Sequence, residues 1–135
     1  MLQRDYIEEI IERFVNAILE PMRRALLEHD LAACETIERQ IAELMSLSPD
    51  TAMSLSPESL CTMMLLSGIG DSIAGYCCWS MLRLADAYDA MGKPDLAELR
   101  RAQAEAIGRD FMYDISETPA EFEDLDQEIR EQLGA

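Results

Sequence analysis

The feature that most restricts the fold is a three- and four-residue recurrence of apolar side chains near the start of the chain: Ile7, Ile10, Ile11, Phe14, Ile18 and Met22. Glu8, Glu9, Glu12, Arg13 and Asn16 fall largely on the other side. That period belongs to an amphipathic helix with one buried stripe. It returns in Cys34, Ile37, Ile41, Leu44 and Met45, and again in Leu96, Leu99, Ala102, Ala106, Ile107 and Phe111. Residue choice agrees, because β-branched residues are sparse while unbranched ones lose little rotamer freedom in a helix. A length of 135 residues fits one domain over 1–135 and buries a core without disulfides or metal. The expectation is an all-α fold, a compact bundle of about five to six helices.

Helix ends follow from Pro, Gly and capping residues. Pro21 lies inside the first run, lacks an N–H and crowds the previous turn, so a kink or break is expected near Leu19–Pro21. Asp30 can cap a second helix over Leu31 to about Ser46. Two Ser-Pro steps follow, and Pro suits a first helical turn. They predict a short turn at Pro49–Met53 and a third helix from Pro57, capped by Ser56. Ser67-Gly-Ile-Gly-Asp then allows a sharp turn, with Asp71 as the cap of a fourth helix. That helix is apolar on most sides (Ile73, Ala74, Tyr76, Cys77, Trp79, Met81, Leu82, Leu84, Ala85, Tyr88), which marks it as surrounded by others. Gly92 supplies a left-handed end before a fifth helix, on which Arg100, Arg101, Glu105 and Arg109 should be solvated. Thr118-Pro-Ala-Glu121 reads as a capping box for a tail helix over about 118–133, with a thin stripe of Phe122, Leu125, Ile129 and Leu133 that suggests loose docking.

The hairpin near residues 72–108 resembles the tetratricopeptide repeat. Leu84, Ala85, Tyr88, Gly92, Ala97 and Ala104 fall at its consensus spacing, where small residues let two antiparallel helices pack closely. Met81, Arg101 and Arg109 depart from it. Asp5-Tyr6-Ile7 followed by Ile10, Ile11 and Phe14, with the hairpin, is also similar to a bacterial all-helical family described only as a domain of unknown function. That resemblance implies a helical fold and transfers no functional residue.

Net charge is −16, and residues 110–135 contribute nine acidic groups and one basic one, a net of −8. Such a field repels phosphates and anionic lipid, so neither nucleic acid nor membrane is an expected partner. From Leu60 to Leu82 the chain is long enough to span a bilayer, but Asp71 in its middle would cost about 2.5–3.5 kcal/mol there. A soluble hairpin places Asp71 at a turn. The start, Met-Leu-Gln-Arg-Asp-Tyr, does not read as a secretory signal, so a cytoplasmic, reduced setting is expected, with Cys34, Cys61, Cys77 and Cys78 as buried thiols.

Motifs for chemistry are missing. There is one histidine, His29, with Leu26 rather than Glu three residues before it, and there is no Cys-x-x-Cys. Gly68, Gly70 and Gly75 miss the dinucleotide spacing, since Ile73 occupies its third glycine position. No catalytic residue, metal or cofactor is expected, and the chain reads as a non-enzyme. An enzyme would need a buried carboxylate such as Asp71 or Asp86 in a cleft. The leading expectation is a protein–protein interaction or self-association domain, a homodimer through the first helix included. Its binding residues would be Met64, Tyr76, Trp79, Met81 and Tyr88, around a groove for a helix or extended peptide. The alternative is a small-molecule binding or sensing domain with an apolar cavity near Met64, Trp79 and Tyr88.

Overall fold

A computed structural model describes residues 2–134, and the side chains of residues 4–134. Among the described residues there are seven α-helices, one 3-10 turn and no strand. The helices are α1 (Leu2–Glu28), α2 (Leu31–Leu44), α3 (Pro49–Ser54), α4 (Pro57–Ser67), α5 (Gly70–Ala90), α6 (Pro94–Asp110) and α7 (Glu123–Leu133). The 3-10 turn, Ala120–Phe122, leads into α7. The bundle is all-helical, as the periodicity predicts, and no helix is long and apolar enough to cross a membrane.

The break expected near Leu19–Pro21 does not occur, because α1 is unbroken through Pro21. A proline inside a helix costs about 3 kcal/mol or more. Ile18 and Met22 flank it, both fully buried, and Ala25 and Leu26 continue the buried stripe against α2 and α5. Burying one such large side chain contributes about 1.5–3 kcal/mol, so two offset the lost backbone bond. Asp30 caps α2 as expected, its Oδ1 accepting from the Ala33 N–H at 3.3 Å.

Helices α5 and α6 form the most extensive pair, joined through Gly92 at φ 75°. Leu84, Ala85, Tyr88, Ala97 and Ala104 are all buried in this region. Two expectations here are corrected. Asp71 does not cap α5: the helix begins at Gly70 with no side-chain cap, and Asp71 is exposed in its first turn, where its charge still complements the helix dipole. The buried face of α6 is Ala97, Arg100, Gln103, Ala104, Ala106, Ile107 and Gly108. Ala106 and Ile107 of the expected stripe are thus buried, but the centre of the face lies about a quarter turn from Leu96 and Leu99. Leu96 is exposed, and Arg100, expected in solvent, is 2% exposed.

After α6 the chain runs back across the hairpin as a strap. Phe111 sits over Gly70, Tyr113 over Gly75 and Ile115 over Gly108. Phe111, Tyr113 and Ile115 are half-buried, while Met112, Asp114 and Ser116 between and after them are exposed. The strap delivers Phe122, which is fully buried and stacks on Trp79 with ring centroids 4.3 Å apart. The expected capping box does not form, because no side chain caps the 3-10 turn and Glu121 instead accepts a hydrogen bond from Tyr76 Oη at 2.7 Å. Leu125 and Ile129 of α7 are buried, Leu133 is exposed, and Arg23 of α1 donates to both oxygens of Glu128 at 2.8 and 2.9 Å.

The glycine seats yield a test. Alanine at position 75 would gain about 1 kcal/mol of helix propensity. Its Cβ would stand 2.7 Å from the Tyr113 ring, and such overpacking costs about 1–3 kcal/mol. Gly75→Ala is therefore expected to lower stability in urea denaturation. In a Tyr113→Ala background the same change should become neutral or stabilising.

Candidate functional site

The five residues expected to line a groove are distributed through the core. Met64, Trp79, Met81 and Tyr88 are each no more than 3% exposed, and only Tyr76 is half-buried. Tyr76 and Trp79 meet around Phe122, the first edge-on at 6.1 Å and the second stacked. The Trp79 indole N–H is buried without an acceptor. Tyr88 lies elsewhere, donating through its hydroxyl to Glu38 Oε2 at 2.7 Å. Tyr76 also borders a cleft of about 370 Å³ against α1, with Ile11, Val15, Glu8 and Glu12.

Tyr88 belongs to a buried polar cluster that the sequence reading missed. Arg100 donates through Nε and Nη2 to the same Glu38 oxygen, at 3.1 and 2.9 Å. Its Nη1 donates to the Met53 carbonyl and to Gln103 Oε1, both at 2.9 Å, and Gln103 Nε2 donates to the Leu55 carbonyl at 2.9 Å. The cluster ties α2, α5 and α6 to the end of α3 and borders a cleft of about 580 Å³ with Glu35, Arg39 and Asp50. A signal for Arg100 existed, since it lies three residues from Ala97 and four from Ala104, on the small-residue face of α6. With all these partners in place, the cluster reads as a structural tie.

Around Asp126 a second polar network crosses the surface. Asp89, Arg101, Asp86, Arg83, Asp126 and Arg130 form a chain of alternating charge with successive contacts of 2.6, 3.2, 3.1, 3.4 and 2.9 Å. The 3.1 Å contact, Arg83 Nε to Asp86, is a charge contact without hydrogen-bond alignment. Asp71 and Asp86 are both exposed. Among the described residues no cluster of His, Cys, Asp and Glu has metal-binding geometry. All four cysteines are buried free thiols. Burial, then nearby carboxylates, pushes Cys34 up to about 11, and burial with a hydrogen bond to Asp110 does the same for Cys61. Burial raises Cys77 and Cys78 too, and it raises Tyr88 ahead of its bond to Glu38.

The surface that does stand out is α4. Ser56 caps it, accepting from the Ser59 N–H at 3.3 Å, and Gly68 ends it at φ 79°. Leu60, Cys61 and Met64 make a narrow buried stripe on α5 and α6. Opposite that stripe stands Leu66, 77% exposed, with Leu65 at 59% and Met63 at 39% on its shoulders. No charged residue occurs from Ser59 to Gly70. Two of the three helix hydroxyls bond back to the backbone, Thr62 Oγ1 donating to the Glu58 carbonyl at 3.0 Å and Ser67 Oγ to the Met64 carbonyl at 2.6 Å, while Ser59 Oγ accepts from the Ser56 hydroxyl at 3.0 Å. The outward face therefore presents three large apolar side chains on a chain that is 28% charged as a whole.

Comparison with protein-family models, with curated proteins and with solved structures finds no match to this chain.

Two outcomes follow from the buried groups. Arg100→Ala leaves Glu38 and the Met53 carbonyl without their partner and should cost about 3–5 kcal/mol in urea denaturation. Arg100→Lys should recover little, having no fork to reach Glu38 and Met53 together. The second concerns pH. Cys34 and Cys61 titrate near 11 when folded against an ordinary 9.0, so the folded state favours their protonated forms. Their contribution is complete below pH 9.0 and is lost as pH rises toward 11. The melting temperature should fall across that window. Cys34→Ala with Cys61→Ala should make the fall shallower without removing it, because Cys77 and Cys78, also raised, lose stability above pH 9.0 too.

Proposed function

We propose that the protein is a non-enzymatic protein–protein interaction domain that docks its partner on the outward face of α4. The observation that carries this reading is the exposure of Leu66, Leu65 and Met63 on a helix whose only charged residue is Glu58 in its first turn. Scattered apolar residues are normal on a surface, but a contiguous apolar face on a strongly charged molecule marks an interaction site. Covering one Leu side chain contributes up to about 1.5–3 kcal/mol, so this face offers the core of an interface that the rest of the surface lacks. The tetratricopeptide-like hairpin of α5 and α6 would serve as the rigid platform on which α4 is presented. A small-molecule cavity at Met64, Trp79 and Tyr88 would first require buried core side chains to part, which favours the docking reading over it.

The test is position-specific photo-cross-linking in cells that make the protein. A benzophenone amino acid replacing Leu66 should give a discrete adduct, and the same group at the exposed α6 residue Glu98 should not. No adduct at position 66, together with a purified chain that sediments as a monomer at high concentration, would reject the reading.

A further inference from the structure

We infer that the occupant of the α4 face is a basic amphipathic helix. This rests on the docking reading and goes further, to the chemistry of the partner. The face is convex and one helix wide, with Leu66 at its centre and Leu65 and Met63 to either side. A partner helix with apolar residues at three- and four-residue spacing matches that shape, as in helix–helix docking generally.

Charge selects the sign of that helix. Glu58 lies in the first turn of α4 and Asp71 in the first turn of α5, so two exposed carboxylates flank the uncharged run along the chain. Among the described residues neither is in an ion pair, whereas the cations elsewhere are largely committed. Arg4 pairs with Glu8, Arg13 with Glu9, Arg24 with Asp30, Arg101 with Asp86 and Asp89, and Arg109 with Asp110. An incoming Lys or Arg meets open carboxylates, and an incoming Asp or Glu meets cations that, Arg39 and Lys93 apart, are already paired with acids. The net charge of −16 adds attraction at long range for a basic partner and repulsion for an acidic one. A second copy of this chain has the wrong sign for the same reason, and so does an anionic bilayer.

The experiment uses the full chain and fluorescence anisotropy of three labelled helices of about five turns. One is a Leu/Lys helix with every Leu on one face, the second a Leu/Glu helix of the same pattern, and the third a scrambled Leu/Lys sequence. The protein variant is Leu65→Ser with Leu66→Ser, two exposed positions, with its helicity checked by circular dichroism. The expected result is saturable one-to-one binding of the patterned Leu/Lys helix, weakened at least about tenfold by the variant and further by salt. Equal binding of the variant or of the scrambled peptide would reduce the effect to general acidity and overturn the inference. Equal binding of the Leu/Glu helix would leave the docking face standing and overturn its basic preference. Self-association in sedimentation, abolished by the variant and without peptide binding, would replace the basic helix with a second copy. No binding and no self-association would remove both the inference and the docking reading.

Discussion

One guanidinium ties α6 to α2 and to the end of α3. Arg100 comes from α6, yet its partners are Glu38 on α2, the Met53 carbonyl at the end of α3 and, through Gln103, the Leu55 carbonyl beyond it. Burying a guanidinium is expensive, and only a full set of acceptors makes it tolerable. The acceptors gain as well, because α3 has six residues, too few to persist alone, and the last carbonyls of any helix lack partners within it. By fixing Met53 and Leu55, α6 fixes where the chain stands when α4 begins. At the other end of α4, Phe111 packs against Gly70 just past the turn. The orientation of α4, and so the side of it that remains uncovered, follows from these two anchors.

How much of this could be read from residues alone depends on the physical signal. Helix identity was legible because periodicity and capping are local: Asp30, Ser56 and Gly92 act at the positions that the sequence assigns them. Failures occurred where tertiary packing overrides local preference. Pro21 argues for a break, but burial of Ile18 and Met22 outweighs it. Arg100 argues for solvent by its charge, while the Ala residues around it argue for the interior, and the interior wins because each of its three nitrogens finds an acceptor there. The glycines were read as turn and packing elements, and what packs on them was not foreseen. The alternation of Phe111, Tyr113 and Ile115 with Met112, Asp114 and Ser116 was the available clue, a period of two in a chain otherwise governed by helical periods.

The candidate site shows a similar division. The sequence pointed to the Met- and aromatic-rich centre, and that centre is where the core closes: Met64, Met81 and Tyr88 are almost wholly buried, and Phe122 covers Trp79. The neighbouring run from Ser59 to Gly70 carried the more useful hint, since lack of charge in so acidic a chain has to be hidden by the fold or used by something else. α4 hides only the stripe of Leu60, Cys61 and Met64. The pairing of arginines with carboxylates over the rest of the surface sharpens the contrast, because it leaves unbalanced charge to the acids, while α4 exposes Met63, Leu65 and Leu66 together.

The strap carries a consequence for how this chain can change over evolutionary time. Surface loops are ordinarily where insertions and deletions accumulate. Here alternate residues are seated over Gly70, Gly75 and Gly108, so one added or deleted residue would turn Tyr113 and Ile115 outward and leave vacant hollows in the helices. The same slip would shift Phe122 relative to Trp79 and detach α7 from its place. A segment with no regular secondary structure therefore has a fixed length, and it works as a ruler that sets where the final helix lands.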